Sequence, residues 1–368
     1  MGQGRSKFEN YFLSDREGRE NIYQYIDRKV QPDSFYLCMC SQTVDKVVQY
    51  LYTNLADELK NALSWTLGSS QLKQINVKEI LKSGSLGKST AVKEKSDIDL
   101  IIFLNGISSV KELSQLMPKI LSSLKKLMER LVHDRSMRWA SGLEITRTTN
   151  FSLGLVLHTV NDDGTKFDCE MDLLPALDIT ASKSLLDIYS EMEQSDEDLR
   201  RYYSACLSRV QKKFVNDNTQ PAKVKNLIRF IKFWVKVEQV PLRSYFVELL
   251  VIYNNRQHNR KHLLTCHVDF KIYDHLKECL RILTNCETLK ITFSDNYDYS
   301  NYGKPPFSLI GVFGTLLGYS PANTNVQTVP YLLDPANPYM NVAPSPEKSR
   351  IVSQKAQELL DNWDRIFS

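Results

Sequence analysis

The spacing of apolar residues changes near Pro175 and divides the chain into two predicted regions. Before this point, short apolar or alternating runs typical of strands are separated by stretches with helical spacing. The strand-like runs cover residues 77–81, 98–104, 151–160 and 167–174. The helical stretches cover residues 44–55, with Ser41 as the expected N-cap, and 110–132. This order predicts an α/β (α+β) lobe built around a mixed sheet.

Helical spacing dominates the rest of the chain. The predicted helices cover residues 182–215, 222–239, 243–254, 269–284 and 347–367. Prolines recur between residues 305 and 346, and this segment is predicted to be irregular because proline lacks a backbone donor. We therefore expect an N-terminal extension at 1–22, the α/β lobe at 23–178 and a mostly helical C-terminal lobe at 179–368.

The composition is that of a globular protein, since 42% of the 368 residues are hydrophobic and 24% are charged. The formal net charge of +4 is too small to indicate a polyanion-binding protein by itself. No apolar run approaches the roughly 18 residues of a membrane span, and the charged N-terminal region lacks the apolar core of a secretory signal. We therefore expect a cytoplasmic protein without a transmembrane segment. Gly2 lies in a pattern typical of N-myristoylation, which would add only weak membrane contact.

The seven cysteines are an odd number in a chain of this length, which favours reduced thiols. Histidines and cysteines gather at positions 258, 262, 266, 267, 275 and 279. This group lacks the paired C-x-x-C spacing of a structural zinc site. A loop and a helix with stray ligand-type residues are therefore favoured, and zinc binding stays open as the alternative.

The stretch from Lys82 to Leu100 carries the first candidate chemistry. A P-loop is excluded, because Lys82 stands where that motif needs its first glycine. What remains is a Gly-Ser turn followed by Asp97 and Asp99 at the start of an apolar strand. Residues two apart on a strand point to the same side, so both carboxylates could bind one Mg²⁺, which prefers oxygen ligands. The alternative is that they are exposed turn residues.

The run from Phe167 to Leu174 supplies a third carboxylate. Its acidic residues fall on one face of a predicted strand, and its apolar residues fall on the other. Asp172 is the expected third metal ligand, with Asp168 and Glu170 as alternatives on the same face. An acidic face on a central strand is costly to bury without a cation, which favours a metal site.

Together these motifs resemble the DNA polymerase β-like nucleotidyltransferases, and more narrowly the 2'-5'-oligoadenylate synthases. The residues that carry the narrower resemblance are 25–35, 83–88 with 96–100, 172–178, 221–234, 247–250 and 333–342. The resemblance implies an active site in a cleft between the lobes, with two Mg²⁺ ions on Asp97, Asp99 and Asp172. It further implies that the chain polymerises ATP into 2'-5'-linked oligoadenylates, releases pyrophosphate, is activated by double-stranded RNA and serves antiviral innate immunity.

The predicted helix at 222–239 has a basic stripe formed by Lys225, Arg229, Lys232 and Lys236. Periodicity alone favours a solvated surface for this stripe. The resemblance instead places Arg229 and Lys232 on the triphosphate of ATP, Tyr245 against a nucleotide base, and Gly84 and Ser85 on the phosphates. Ser244 stands where the family usually has glutamine, a difference that bears on adenine preference.

The resemblance also assigns RNA contacts to Lys82, Lys212 and Lys213. Two other functions stay open from the sequence. One is synthesis of a cyclic dinucleotide, as in the related cyclic GMP-AMP synthase-like receptors. The other is a catalytically inactive relative that binds double-stranded RNA.

Overall fold

The computed structural model describes residues 6–17, 20–63, 75–93, 98–161, 163–219, 222–261, 270–293 and 329–367. The chain forms two compact units. One unit consists of residues 32–212, and the other combines residues 1–31 with residues 213–368. The domain boundaries expected from the apolar spacing, at 22 and 178, stay a prediction.

The strands are β1 (Asn76–Ser83), β2 (Ile98–Asn105), β3 (Ala140–Thr148), β4 (Leu153–Val160), β5 (Lys166–Ala176), β6 (Lys290–Ile291) and β7 (Tyr331–Leu332). The helices that precede residue 219 are α1 (Lys7–Asp15), α2 (Ile22–Tyr25), α3 (Ser34–Leu63), α4 (Gly84–Gly87), α5 (Val110–His133), α6 (Leu185–Glu193), α7 (Glu197–Cys206) and α8 (Ser208–Asn218). The later helices are α9 (Ala222–Val237), α10 (Ser244–Lys261), α11 (Ile272–Thr284), α12 (Pro346–Asp361) and α13 (Trp363–Phe367).

The first unit is built on a five-stranded sheet with the order β1-β2-β5-β4-β3. Within this sheet β2 and β5 run parallel, and the other neighbouring strands are antiparallel. The predicted α/β lobe with a mixed sheet is therefore confirmed, as is the mostly helical character of the C-terminal part. Helices α3 and α5 contact the sheet, and β2 and β5 lie at its centre.

Helix α3 is much longer than the predicted helix over 44–55. It begins at Ser34, because the Asp33 carboxylate accepts a hydrogen bond from the Tyr36 backbone N–H at 2.7 Å. Asp33 rather than Ser41 is therefore the residue that caps the helix, and the expected cap at Ser41 was wrong.

The single helix predicted over 182–215 is instead three helices, α6, α7 and α8. Ser184 caps α6, where its hydroxyl accepts from the Asp187 N–H at 3.2 Å. The Asp196 carboxylate caps α7 by accepting from the Leu199 N–H at 2.8 Å. Each capping side chain accepts a backbone N–H and so begins a new helix. The stretch that the apolar spacing predicted as one helix is therefore divided.

In the second unit, α1 is part of the core. Phe8 and Phe12 are buried, and their rings lie 5.8 and 5.9 Å from the ring of Phe230 on α9. The Phe8 N–H also donates to the carboxylate of Glu238 at 2.5 Å. None of the helices in the described ranges is long and apolar enough to cross a membrane.

Candidate functional site

One row of residues crosses the whole sheet of the first unit. Ser83 of β1 is paired with Asp99 of β2, and Asp99 is paired with Asp172 of β5. Asp172 faces Gly154 of β4, and Gly154 faces Arg147 of β3. Residues paired in this way share one face of a sheet, with neighbouring strands about 4.8 Å apart. The row therefore brings two carboxylates together beside the start of the Gly-Ser turn.

The alternation along β5 explains why Asp172 is available to a ligand. Cys169, Met171 and Leu173 are buried, whereas the side chain of Asp172 is 29% exposed. Asp99 likewise lies between the buried residues Ile98 and Leu100. Both carboxylates thus leave the apolar core and point to the same side of the sheet.

The donor set of this row fits a hard divalent cation. Asp99 and Asp172 offer adjacent carboxylate oxygens, which are the ligands that Mg²⁺ prefers. Within the described residues no three His, Cys, Asp or Glu side chains gather into a metal site. A set of three carboxylates therefore depends on Asp97, which lies outside the described residues.

Arg147 forms an ion pair with Asp172, its Nη2 lying 2.7 Å from Asp172 Oδ2. Gly154 lies between these two residues in the row. A Cβ atom on Gly154 would lie 2.6 Å from Asp172 Oδ1 and 3.4 Å from Arg147 Cβ. The missing side chain at Gly154 thus lets the guanidinium reach across one strand to the carboxylate.

The Gly-Ser turn follows Ser83 directly, and two glycines shape it. Gly84 has a φ of 69°, a conformation that side chains disfavour. A Cβ atom on Gly87 would lie 2.5 Å from the Lys82 carbonyl oxygen, so this close approach requires glycine. Ser85, the expected phosphate ligand, is a buried residue of this turn, and its carbonyl accepts from the Thr90 N–H at 2.8 Å.

The expected RNA contacts are already engaged with other groups. Lys82 Nζ lies 2.5 Å from Asp45 Oδ1, and Lys213 Nζ lies 2.6 Å from Asp217 Oδ2. Lys212 donates to the Lys82 carbonyl at 2.8 Å and thereby holds the turn. Burial, and secondarily the charges of Lys82 and Arg209, lower the pKa of Lys212.

Helix α9 carries the two expected triphosphate ligands in the second unit. Arg229 Nη1 donates to Asn226 Oδ1 at 2.8 Å, and burial lowers the pKa of Arg229. Lys232 is buried, and its Nζ lies 2.6 Å from Glu248 Oε1 on α10. The solvated face that periodicity favoured for this stripe does not describe Lys232. The reason is that Glu248, sixteen residues away, supplies a buried countercharge.

Tyr245, the expected base-stacking residue, is the second residue of α10 and follows Ser244. Its hydroxyl donates to Asp334 Oδ1 at 3.0 Å. Asp334 is buried and also accepts from the Ala336 N–H at 2.8 Å, so it fixes the segment around the Leu-Asp-Pro motif. The tyrosine ring is thereby positioned from its hydroxyl end.

The alternative zinc group is only partly described. His262, Cys266 and His267 lie outside the described residues, as does Gly2 of the myristoylation pattern. The described members His258 and His275 have ring centroids 4.5 Å apart. Burial raises the pKa of the Cys279 thiol, which disfavours the thiolate form that binds metal.

Two members of the row were missed from the sequence, Gly154 and Arg147. Arg147 lies on β3, which was not predicted, and Gly154 lies on the predicted strand β4 but gains its role only from Arg147 beside it. Leu143 and Ile145 alternate with polar residues on β3, which is a strand signal, but β3 is an exposed edge strand and the alternation is short.

Comparisons with known proteins agree with this picture. Residues 182–308 match the family described as 2'-5'-oligoadenylate synthetase 1, domain 2, C-terminus. The chain is 26% identical to 2'-5'-oligoadenylate synthase 1A of Mus musculus over 313 residues, covering 80% of this chain and 77% of the relative. It is 24% identical to 2'-5'-oligoadenylate synthase 2 of Mus musculus over 340 residues, covering 86% of this chain and 40% of that longer protein.

Similarity to solved structures is more distant. A structure of the E. coli MS115-1 protein CdnC with ATP has a TM-score of 0.46 and 17% identity, covering 94% of this chain and 96% of CdnC. The sequence matches to the synthases extend over most of the chain and confirm the resemblance found in its motifs. The chain is thus similar, over most of its length, to the 2'-5'-oligoadenylate synthases.

Proposed function

We propose that the chain is a Mg²⁺-dependent nucleotidyltransferase that polymerises ATP into 2'-5'-linked oligoadenylates and releases pyrophosphate. The observation that carries this proposal is the register of Asp99 with Asp172 on adjacent parallel strands, beside the turn that begins at Gly84. The relationship to the synthases supports the same activity. The proposal includes a cytoplasmic location and a role in antiviral innate immunity.

Asp99 and Asp172, together with Asp97, are the residues that would hold two Mg²⁺ ions. Bound there, the ions would neutralise charge on the donor phosphates and acidify the acceptor hydroxyl. Asp172 is proposed to accept the proton of the acceptor 2'-hydroxyl, because its carboxylate is 29% exposed and can be reached from solvent.

The remaining residues are proposed to bind the nucleotide. The backbone at Gly84 and the hydroxyl of Ser85 would contact the β- and γ-phosphates of ATP. Arg229 and Lys232 are proposed as triphosphate contacts, and Tyr245 as the residue that stacks on the base. The hydrogen bond from Tyr245 to Asp334 supports this last role, since it leaves the ring in a fixed orientation.

Double-stranded RNA is proposed as the activator, bound through Lys82, Lys212 and Lys213. Each of these cations has an internal partner, so RNA phosphates must compete with Asp45 and Asp217 for two of them. Binding through phosphates weakens steeply with added salt, so RNA binding that is insensitive to salt would argue against these contacts.

The test is incubation of the purified protein with mixed nucleoside triphosphates and Mg²⁺, with and without double-stranded RNA. Products are resolved by mass and by sensitivity to phosphodiesterases specific for 2'-5' or 3'-5' linkages. Linear 2'-5' oligoadenylates support the proposal. A cyclic dinucleotide would replace it with the cyclase alternative, and RNA binding without any product would indicate an inactive relative.

Asp99→Asn is expected to abolish pyrophosphate release. The matched control is Asp168→Asn, which removes a carboxylate from the same face of the sheet, one strand away from Asp99. Asp168 is paired with His158 at 2.7 Å and lies four residues from Asp172, about 13 Å along β5. We expect the control to keep its activity. Near-normal turnover by Asp99→Asn would refute the assignment of the site.

A further inference from the structure

We propose that Arg147 is a resident counter-cation of Asp172, which a divalent ion must displace before it can use that carboxylate. Arg147 then sets the metal concentration at which the site fills. The inference rests on the proposed metal site and adds to it a residue that the sequence motifs do not contain. In this role Arg147 is a positioning residue.

The geometry of the row brings Arg147 into contact with Asp172. Arg147 and Asp172 belong to different strands with β4 between them, yet their side chains meet at 2.7 Å. They meet because Gly154, the residue between them, has no side chain. Glycine in the interior of a strand weakens the strand and commonly marks a close approach. Here the approaching groups are the Asp172 carboxylate and the aliphatic base of Arg147.

The positive charge of Arg147 opposes the binding of a cation at Asp172. Asp99 and Asp172 are neighbours, and two adjacent carboxylates repel each other unless a cation lies beside them. The Arg147 guanidinium supplies one positive charge at Asp172 Oδ2. A divalent ion that binds this oxygen must break the ion pair and must also approach a positive charge. Both effects weaken metal binding relative to a site without Arg147.

The side chains of Arg147 and Asp172 are both accessible to solvent. The side chain of Arg147 is 59% exposed and that of Asp172 is 29% exposed, so the guanidinium can swing into solvent when an ion arrives. Ion pairs at this degree of exposure contribute little to folding. Loss of Arg147 should therefore leave the fold intact and change only the affinity of the site for cations.

The test is titration of the nucleotide-free protein with Mn²⁺, followed by electron paramagnetic resonance of the free ion. Arg147→Met is expected to bind Mn²⁺ about tenfold more tightly than the parent chain, from the removal of one charge a few ångströms from a divalent ion. Arg147→Lys keeps the charge but not the planar fork, and should give an intermediate affinity. In an Asp172→Asn background, Arg147→Met should produce no gain.

Lys166→Met is the matched control for net charge. Lys166 is the first residue of β5, the strand that contains Asp172, and lies six residues and about 20 Å from Asp172 along it. This distance exceeds the screening length of about 10 Å at 0.1 M salt, so the control should bind Mn²⁺ as the parent chain does.

Three outcomes would overturn the proposal while leaving the proposed metal site in place. They are unchanged Mn²⁺ affinity in Arg147→Met, weaker affinity in that variant, and an equal gain in Lys166→Met. Absence of Mn²⁺ binding in every variant would overturn it together with the proposed metal site. The expected affinities combined with no nucleotide product would instead leave the role of Arg147 standing and remove the proposed activity.

Discussion

The buried ion pair between Lys232 and Glu248 allows a structural role to be separated from a nucleotide-binding role. The two side chains are only 6% and 1% exposed, and Lys232 Nζ lies 2.6 Å from Glu248 Oε1. The pair joins α9 to α10 within the second unit. Removing the lysine alone would leave the glutamate carboxylate buried without this countercharge, which typically costs 3–5 kcal/mol, or about 4 kcal/mol here.

The perturbation is Lys232→Met, which keeps the aliphatic length and removes the charge. A unit of this size loses about 2–4 °C in Tm for each kcal/mol, so a loss of about 4 kcal/mol corresponds to about 8–16 °C. The double variant Lys232→Met with Glu248→Leu should recover most of the loss, because an apolar pair of similar volume usually replaces a buried ion pair at little cost.

The assay is urea unfolding followed by circular dichroism, together with a thermal scan of the same samples. Lys223→Met is the matched control, since it makes the same change at an exposed position near the start of α9. Its free energy of unfolding should stay within about 0.5 kcal/mol of the parent value. The KM for ATP is measured on each variant that remains folded.

Two results would refute this reasoning. The first is Lys232→Met with the stability of the parent chain, which would show that Glu248 does not need the lysine. The second is a double variant no more stable than the single one. A higher KM for ATP with unchanged stability would mean that the lysine acts on the triphosphate and not as the partner of Glu248.

Three further predictions concern Gly154, Phe12 and His275. Gly154→Ala should displace the Asp172 carboxylate, which lies 2.6 Å from the added methyl position, and lower activity far more than stability; equal losses of both would contradict this. Phe12→Ala should lower the free energy of unfolding, measured in urea, by about 3–5 kcal/mol, because this buried ring packs in the core of the second unit. A decrease below about 1 kcal/mol would show that α1 is dispensable for stability. Burial, assisted by His258, lowers the pKa of His275 from 6.5 to about 4. The unfolded chain therefore takes up the proton first as pH falls. The free energy of unfolding should decrease from about pH 6.5 towards 4 by at most about 1.4 kcal/mol per pH unit, and His275→Gln should reduce that slope.

The strands of the sheet could largely be predicted because their signal is local. Alternation along 167–174 already separates Asp172 from the apolar residues of β5, and the structure buries those apolar residues. The same holds for Ile98 and Leu100 around Asp99. That β2 and β5 are direct neighbours in register is not local, and it depends on how the whole sheet is ordered.

Features that depend on a distant partner were not predictable in the same way. The burial of Lys232 depends on Glu248 of another helix, so the basic stripe of α9 looks solvated when the helix is considered alone. Helix α1 looks like a charged extension until Phe230 of α9 is placed beside Phe12. Hydrophobic periodicity reports which face of an element is apolar, but it does not report which element covers that face.

At the candidate site, the roles of Gly154 and Arg147 also depend on residues of other strands, so neither role could be predicted from its own strand. The two residues also depend on each other. A side chain at position 154 would collide with the Asp172 carboxylate and narrow the path of the arginine. With glycine there, the guanidinium reaches Asp172 across β4, and the adjacent carboxylates of the row gain a cation. If Arg147 tunes metal binding through its contact with Asp172, a larger residue at position 154 should block that contact. Mn²⁺ affinity should then no longer depend on the charge at position 147. Arg147→Met in a Gly154→Ser background should therefore leave Mn²⁺ affinity unchanged, and a gain there as large as in the parent chain would show that Arg147 acts on the metal without contacting Asp172.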